Sequence, residues 1–171
     1  DKTTGELIFS HSQVAALRMF IAAAFLFPLA LPYWRKINVR KYLIPLLIVG
    51  FLGNFFPAFL FTYAETGVSS GLAGMLNSCV PIFTIIIGYA VFKTNVLPIQ
   101  IVGVTVGTIG IIWLVTSASS LSVTGTIWHV LAVVLATLFY ATSLNTIKYK
   151  LVGLKPLAIT AMAFSATLPF S

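Results

Sequence analysis

Six apolar stretches of membrane-spanning length follow one another in this chain of 171 residues, and most of its cations lie in alternate gaps between them. A helix crossing a hydrocarbon core of about 30 Å needs about 20 residues at 1.5 Å rise per residue. The runs are Val14–Tyr33, Tyr42–Ala64, Leu72–Phe92, Pro98–Thr116, Thr126–Asn145 and Leu157–Ser171. Barrel strands do not fit, because lipid-embedded backbone must pair internally and no ten-residue alternation of apolar and polar positions is present. The expected fold class is therefore all-α, a polytopic transmembrane bundle of five complete spans and one truncated span. The last run stops short of a full crossing, and the chain opens on Asp1 rather than on methionine. A longer gene is expected, with one helix before Asp1 and three or more after Ser171.

The gaps alternate in charge. Arg35, Lys36, Arg40 and Lys41 fill the first, and the second, from Glu65 to Gly71, has an acid and no cation. The third holds Lys93, the fourth (Ser117–Gly125) is uncharged, and the fifth holds Lys148, Lys150 and Lys155. Short cytoplasmic loops collect Lys and Arg. The gaps at 34–41, 93–97 and 148–155 are therefore predicted to be cytoplasmic. The first visible span then runs inward.

Composition agrees with lipid as the solvent. Only 8% of residues are charged, against about 25% in a soluble domain. The formal charge of +7 is explained by topology determinants rather than by nucleic acid, so the bilayer is the expected partner. The single cysteine, Cys79, excludes an internal disulfide, and His11 and His129 stand apart. No paired spacing of the zinc kind exists, so neither a metal site nor a cofactor is expected. No Gly-rich loop precedes a lysine, so no nucleotide site drives the protein.

Gly67-Val-Ser69-Ser-Gly71 matches G-x-S-x-G literally. A nucleophile elbow needs a strand before it and a helix after it. Here a membrane helix precedes it, and Gly and Ser are expected in a tight turn for conformational reasons alone. An intramembrane serine protease with His129 as base is the remote alternative. No catalytic residues are expected.

Inside the membrane, small residues recur at helical spacing. Gly71, Gly74, Ser78, Pro81 and Gly88 share a face of the third run, and Gly103, Gly107 and Gly110 share one of the fourth. Such faces let backbones approach closely in lipid. Packing within the bundle is the favoured use of the Gly103/Gly107 pair, and a homodimer face is the other. Pro57 and Pro81 lie near mid-membrane, where each removes a backbone donor and kinks its helix. Asn54, Asn77, Ser78 and Tyr140 sit at similar depth. A lone buried Asn is often interhelical glue. Several polar groups beside two prolines favour a polar cavity. Arg18 and Glu65 lie near the outer ends of their runs. Snorkelling and solvation would explain them singly, and an outer-gate pair would explain them together.

The stretch FTYAETGVSSGLAGMLNSCVPIFTIIIGYAVFKTNVLPIQIVGVTVGTIGIIWLV, Phe61 to Val115, resembles an EamA-domain protein of the drug/metabolite transporter superfamily. Pro81, Gly88, Lys93, Gly103 and Gly110 match the family pattern. The stretch ALRMFIAAAFLFP, Ala16 to Pro28, resembles the helix before it, including Arg18. One departure is Thr94-Asn95, where the family commonly carries a glutamate, so that acid's role in cytoplasmic closure does not carry over. The resemblance implies ten helices in two inverted five-helix repeats. Residues 1–116 would be most of the first repeat, 117–125 an outer linker, and 126–171 the start of the second. Aligning Val14 with Leu157 matches only Ala15/Ala158, Met19/Met162 and Ala23/Ala166, so topology carries the repeat argument. The implied activity is secondary active transport, as an exporter of small organic metabolites or drugs across a bacterial inner membrane by alternating access. The rival is a non-transporting scaffold or receptor bundle in which the same polar residues only glue helices.

Overall fold

The computed structural model describes residues 10–117 and 127–168. Among these residues all regular structure is helical. Helix α1 (His11–Trp34) opens with a capping box: Ser10 N–H donates to Gln13 Oε1 at 2.8 Å, and the Ser10 hydroxyl accepts from Gln13 N–H at 3.4 Å. That exchange satisfies two otherwise unpaired donors at the helix start.

The second apolar run is a single irregular rod. It begins as α2 (Val39–Gly50), widens into a π-helical turn (Phe51–Phe55), and continues as α3 (Phe56–Ala64). The cause lies in Pro57, which has no N–H and whose ring would collide with the carbonyl of Gly53 in a regular α-helix. The wider turn moves that carbonyl away. The third run breaks instead. It forms α4 (Ser70–Asn77), a turn at Ser78 and Cys79, and α5 (Val80–Ala90), with Pro81 in the first turn of α5 where its missing donor costs nothing. Then come α6 (Pro98–Ser117), α7 (Ile127–Lys150) and α8 (Pro156–Thr167). Lys148 and Lys150 end α7, where cations complement the carbonyl end of a helix.

Four helical stretches are long and apolar enough to cross a membrane: Ser12–Trp34, Arg40–Ala64, Ser70–Ala90 and Ile127–Lys150. Helices α6 and α8 are apolar too, over Pro98–Trp113 and Pro156–Thr167. Six runs were expected from sequence, and the expected linker at 117–125 lies outside the described residues except for Ser117. Large apolar side chains point away from the protein, among them Phe25 (76% exposed) and Trp113 (74% exposed). Surfaces of that size and character belong in lipid.

The interior is built on alanine. One cluster joins Ala30, Leu46, Val49, Leu151, Ala158, Ala161, Met162 and Ala163 at the basic end. Another joins Ala64, Val68, Leu72, Ala73, Ala132 and Val133 at the end carrying Glu65. Lipid tails are as apolar as leucine, so helices in a bilayer associate through close packing of small side chains. Helix α1 packs on α8. Ala15, Met19, Ala158 and Met162, paired above by alignment, are all buried. Two long-range polar contacts add to the packing. Trp34 Nε1 donates to Ser165 Oγ at 2.8 Å, and Asn145 Nδ2 donates to the Thr84 carbonyl at 2.9 Å.

The glycines of α6 behave differently. A Cβ added at Gly103, Gly107 or Gly110 would meet no atom within 4 Å. The close packing expected of them is not made among the described residues, where α6 packs lightly, chiefly beside α4. Close approaches occur at Gly50, Gly53, Gly67 and Gly88 instead, and at Gly53 a Cβ would overlap the Ser143 hydroxyl of α7.

Candidate functional site

A cavity of about 330 Å³ opens at the end of the bundle that carries Glu65. Helix α1 contributes Arg18, Met19 and Ala22, α7 contributes Tyr140, and α8 contributes Phe164. The irregular rod contributes Asn54, Ala58, Phe61 and Glu65. Spacings of four, three and four put those last residues on one helical face. Asn54 sits inside the π-helical turn, one of the irregularities that occur frequently at functional sites.

The polar groups are few and placed at different depths. Asn54 Nδ2 donates to the Val49 carbonyl at 3.2 Å. That bond holds the carboxamide across the widened turn. Among the described residues neither Asn54 Oδ1 nor the Tyr140 hydroxyl has a hydrogen-bond partner. Both are thus available to a guest. The Phe61 and Tyr140 rings lie 6.1 Å apart at 39°, giving the cavity an aromatic wall. Arg18 and Glu65 are both exposed and both line the mouth. No Arg18–Glu65 ion pair of 4.0 Å or less is formed among the described residues. The mouth therefore offers one cation and one anion that are not engaged with each other. Such a cavity can take a small molecule with an apolar body and charged or polar ends.

Asn54, Tyr140, Arg18 and Glu65 meet in this one cavity, whereas Asn77 and Ser78 do not line it. Ser78 is exposed, and its hydroxyl donates to the Gly74 carbonyl at 3.2 Å. It lines a narrow cleft between α5 and α6 with Pro81, Gly103 and Gly107. Depth along a run places a residue in the membrane but not beside a given neighbour, and no residue of α4 or α5 lines this cavity. Asn77 Oδ1 is buried with no hydrogen-bond partner among the described residues, a cost of about 1–3 kcal/mol. Gly110 faces open space.

Sequence reasoning missed Phe61, Phe164, Met19, Ala22 and Ala58. The 54-58-61-65 face was visible as a helical pattern, but apolar residues in a membrane helix give no sign of which side is inward. The Ser69 hydroxyl caps α4, accepting from Leu72 N–H at 3.4 Å. His129 stacks on Tyr63, with ring centroids 4.7 Å apart and an interplanar angle of 10°. Ser69 thus has a structural role at the start of α4.

Residues 6–116 match the EamA-like transporter family. No curated protein and no solved structure matches the chain.

Proposed function

Because the chain belongs to the EamA-like transporter family, we propose that it is a secondary active exporter of small organic metabolites or drugs. It works in a bacterial inner membrane by alternating access. One observation carries this reading beyond the family: the cavity that joins Arg18 and Glu65 at its mouth to Asn54 and Tyr140 below. A scaffold whose polar residues served as glue would have those groups bonded to neighbouring helices. Asn54 Oδ1 and the Tyr140 hydroxyl are not so bonded among the described residues. The preferred substrate is a small amphipathic molecule with a carboxylate or amine, its apolar part against Phe61 and Phe164. Contacts between α1 and α8, with Ala15, Met19, Ala158 and Met162 buried, support two repeats related by inversion.

The test is efflux by the full gene product, assayed with a panel of labelled organic cations, anions and zwitterions. Asn54→Ala and Tyr140→Phe each remove one hydrogen-bonding group, worth about 0.5–1.5 kcal/mol. Flux of the preferred substrate is expected to fall about two- to tenfold, with expression unchanged. Ser78→Ala, outside the cavity, is expected to leave flux intact. Flux unaltered in both cavity variants would remove this cavity from the transport path.

Arg18 and Glu65 are expected to act as a pair at the outer gate. Exposed pairs contribute about 0–1 kcal/mol, enough to bias a balanced gate without locking it. Arg18→Glu and Glu65→Arg should each slow export, and the double reversal should recover part of the loss. A double variant no faster than either single one would show that the two do not work together.

The orientation follows from the cations of the gaps at 34–41, 93–97 and 148–155. In intact cells of a Cys79→Ser background, an impermeant thiol reagent should label Thr66→Cys and spare Lys36→Cys. Labelling at 36 from outside would reverse the orientation.

A further inference from the structure

A second cavity, of about 290 Å³, lies at the opposite, basic end of the bundle. Thr94, Asn95, Gln100, Asn145, Lys148 and Tyr149 give it most of its polar lining. Two of these are fixed by backbone. Asn145 Nδ2 donates to the carbonyls of Thr84 and Ala141, both at 2.9 Å, and Gln100 Oε1 accepts from Leu97 N–H at 3.1 Å. Lys93 adopts a left-handed backbone conformation, φ +51°, and the next N–H, that of Thr94, bonds back to the Gly88 carbonyl at 3.1 Å. That turn brings Thr94 and Asn95 to the cavity. The first turn of α6 adds the positive end of a helix dipole beside them.

Among the described residues no acid faces the charge here, and the side chain beside Lys148 is the phenol of Tyr149. Glu65, the one acid among the described residues, lines the other cavity. Lys148 is exposed, and its Nζ lies 5.2 Å from the centre of the Tyr149 ring. An anion is the complement that this lining lacks.

The polar cavity does not end at the interface. It shares Thr84, Ile85, Gln100 and Leu144 with an apolar groove of about 440 Å³. Val80, Pro81, Gly103 and Val104 complete the walls of that groove between α5 and α6. The groove shares Pro81, Gly103 and Val104 with a cleft of about 110 Å³ that reaches Gly107 and Ile111. From Gln100 to Ile111 the path follows α6 for about 16 Å. That is the depth of one leaflet of a core about 30 Å thick. The absent side chains of Gly103 and Gly107 keep it open, with no atom within 4 Å of either Cβ position.

We propose that these three spaces form one seat for an anionic diacyl phospholipid of the leaflet on the basic side. The phosphate sits by Lys148 with Asn95 and Gln100 as donors, and one acyl chain runs along α6 past Gly103 and Gly107. A soluble anion would use the polar cavity and leave the groove empty. A neutral lipid would fill the groove without neutralising Lys148. The combination of a cation that no acid faces among the described residues, fixed amide groups and a leaflet-deep apolar channel selects the anionic lipid.

Native mass spectrometry of the full gene product tests this, after delipidation and titration with phosphatidylglycerol, phosphatidylcholine or glycerol 3-phosphate. Phosphatidylglycerol is expected to be retained, and the other two are not. A surface cation near anionic lipid contributes about 1 kcal/mol, so Lys148→Gln should weaken retention about fivefold. Lys155→Gln, a cation on the same side that lines none of these spaces, should not weaken it. Gly103→Leu puts a side chain into the channel from a Cβ position with no atom within 4 Å and should lower retention at least as much. Equal losses for Lys148→Gln and Lys155→Gln would reduce the effect to diffuse attraction and overturn the seat. Retention unchanged in Gly103→Leu would overturn the acyl path. Glycerol 3-phosphate bound as well as the lipid would mean a free-phosphate site instead. Cross-linking of Gly103→Cys to another protein segment or a second copy, with no lipid retained, would assign the groove to that segment and sink the proposal.

Discussion

Gly53→Val is expected to abolish export by the full gene product and to destabilise it by about 1–3 kcal/mol, the usual cost of forcing extra atoms into a packed contact. Gly53 lies in the π-helical turn, where a Cβ would overlap the Ser143 hydroxyl and stand 3.0 Å from the Ser143 Cβ. Ser143 is itself buried, so it has little room to retreat. A larger side chain must push the turn away from α7. That motion separates Asn54 on the turn from Tyr140 on the helix, the two polar groups deepest in the cavity. The smaller change Gly53→Ala isolates the cause, because Ser143→Gly removes both atoms that its Cβ would strike. The double variant Gly53→Ala/Ser143→Gly should recover most of the flux lost in Gly53→Ala. Failure to recover, with normal expression, would show that close approach is not why glycine stands there. Flux measures the functional half, and thermal unfolding in detergent the structural half.

Pro57→Ala is expected to move stability and transport in opposite directions. Proline inside a helix costs about 3 kcal/mol relative to alanine. The π-helical turn just before Pro57 relieves the clash at the price of a widened backbone. With alanine at 57 the N–H returns, and the rod can close into a regular α-helix. Closing it removes one residue's excess from the turn. Residues on either side then rotate relative to each other by about 100° about the helix axis, from 3.6 residues per turn. Asn54 keeps its spacing to Ala58, Phe61 and Glu65, but Leu46 and Val49 before the turn and that face after it can no longer both keep their partners, so the cavity wall is displaced. The expected result is an unfolding midpoint equal to or above that of the wild type, with flux reduced at least tenfold. Unchanged flux at unchanged stability would mean that packing against neighbours, and not the proline, maintains the turn. Pro57 is fully buried, so some loss of contact offsets the gain in the helix, and Pro57→Val would restore apolar bulk while keeping the donor.

The irregular turn explains why the cavity was only half legible. Asn54, Tyr140, Arg18 and Glu65 were each identifiable, because polar groups among apolar ones stand out in a membrane helix. Asn77 and Ser78 stood out equally, yet they do not line the cavity with Asn54. The run that holds them, broken at Ser78 and Cys79, contributes no residue to that cavity, and depth along a run does not say which other runs lie beside it. Among the described residues close packing falls elsewhere for a related reason. Glycine and alanine are both small enough for helices to meet, and the sequence displayed a tidy stripe at Gly103, Gly107 and Gly110. The bundle packs on Ala15, Ala23, Ala30, Ala136, Ala158 and Ala161 instead. The glycine stripe is left bordering the groove and cleft of α6.

By itself the sequence determined the solvent, the helical class and the approximate limits of the apolar runs. It also carried the family resemblance through Pro81, Gly88, Lys93, Gly103 and Gly110. These follow from composition and from short-range pattern: a segment too apolar for water must be a helix when every backbone group has to bond within it. The tertiary structure alone decided which polar side chains share a cavity, which small residues carry the packing, and where a rod widens or breaks. In water an amphipathic stripe tells which face of a helix is buried. In lipid the inward and outward faces are both apolar, so that signal vanishes, and only the arrangement of neighbouring helices assigns each face its partner.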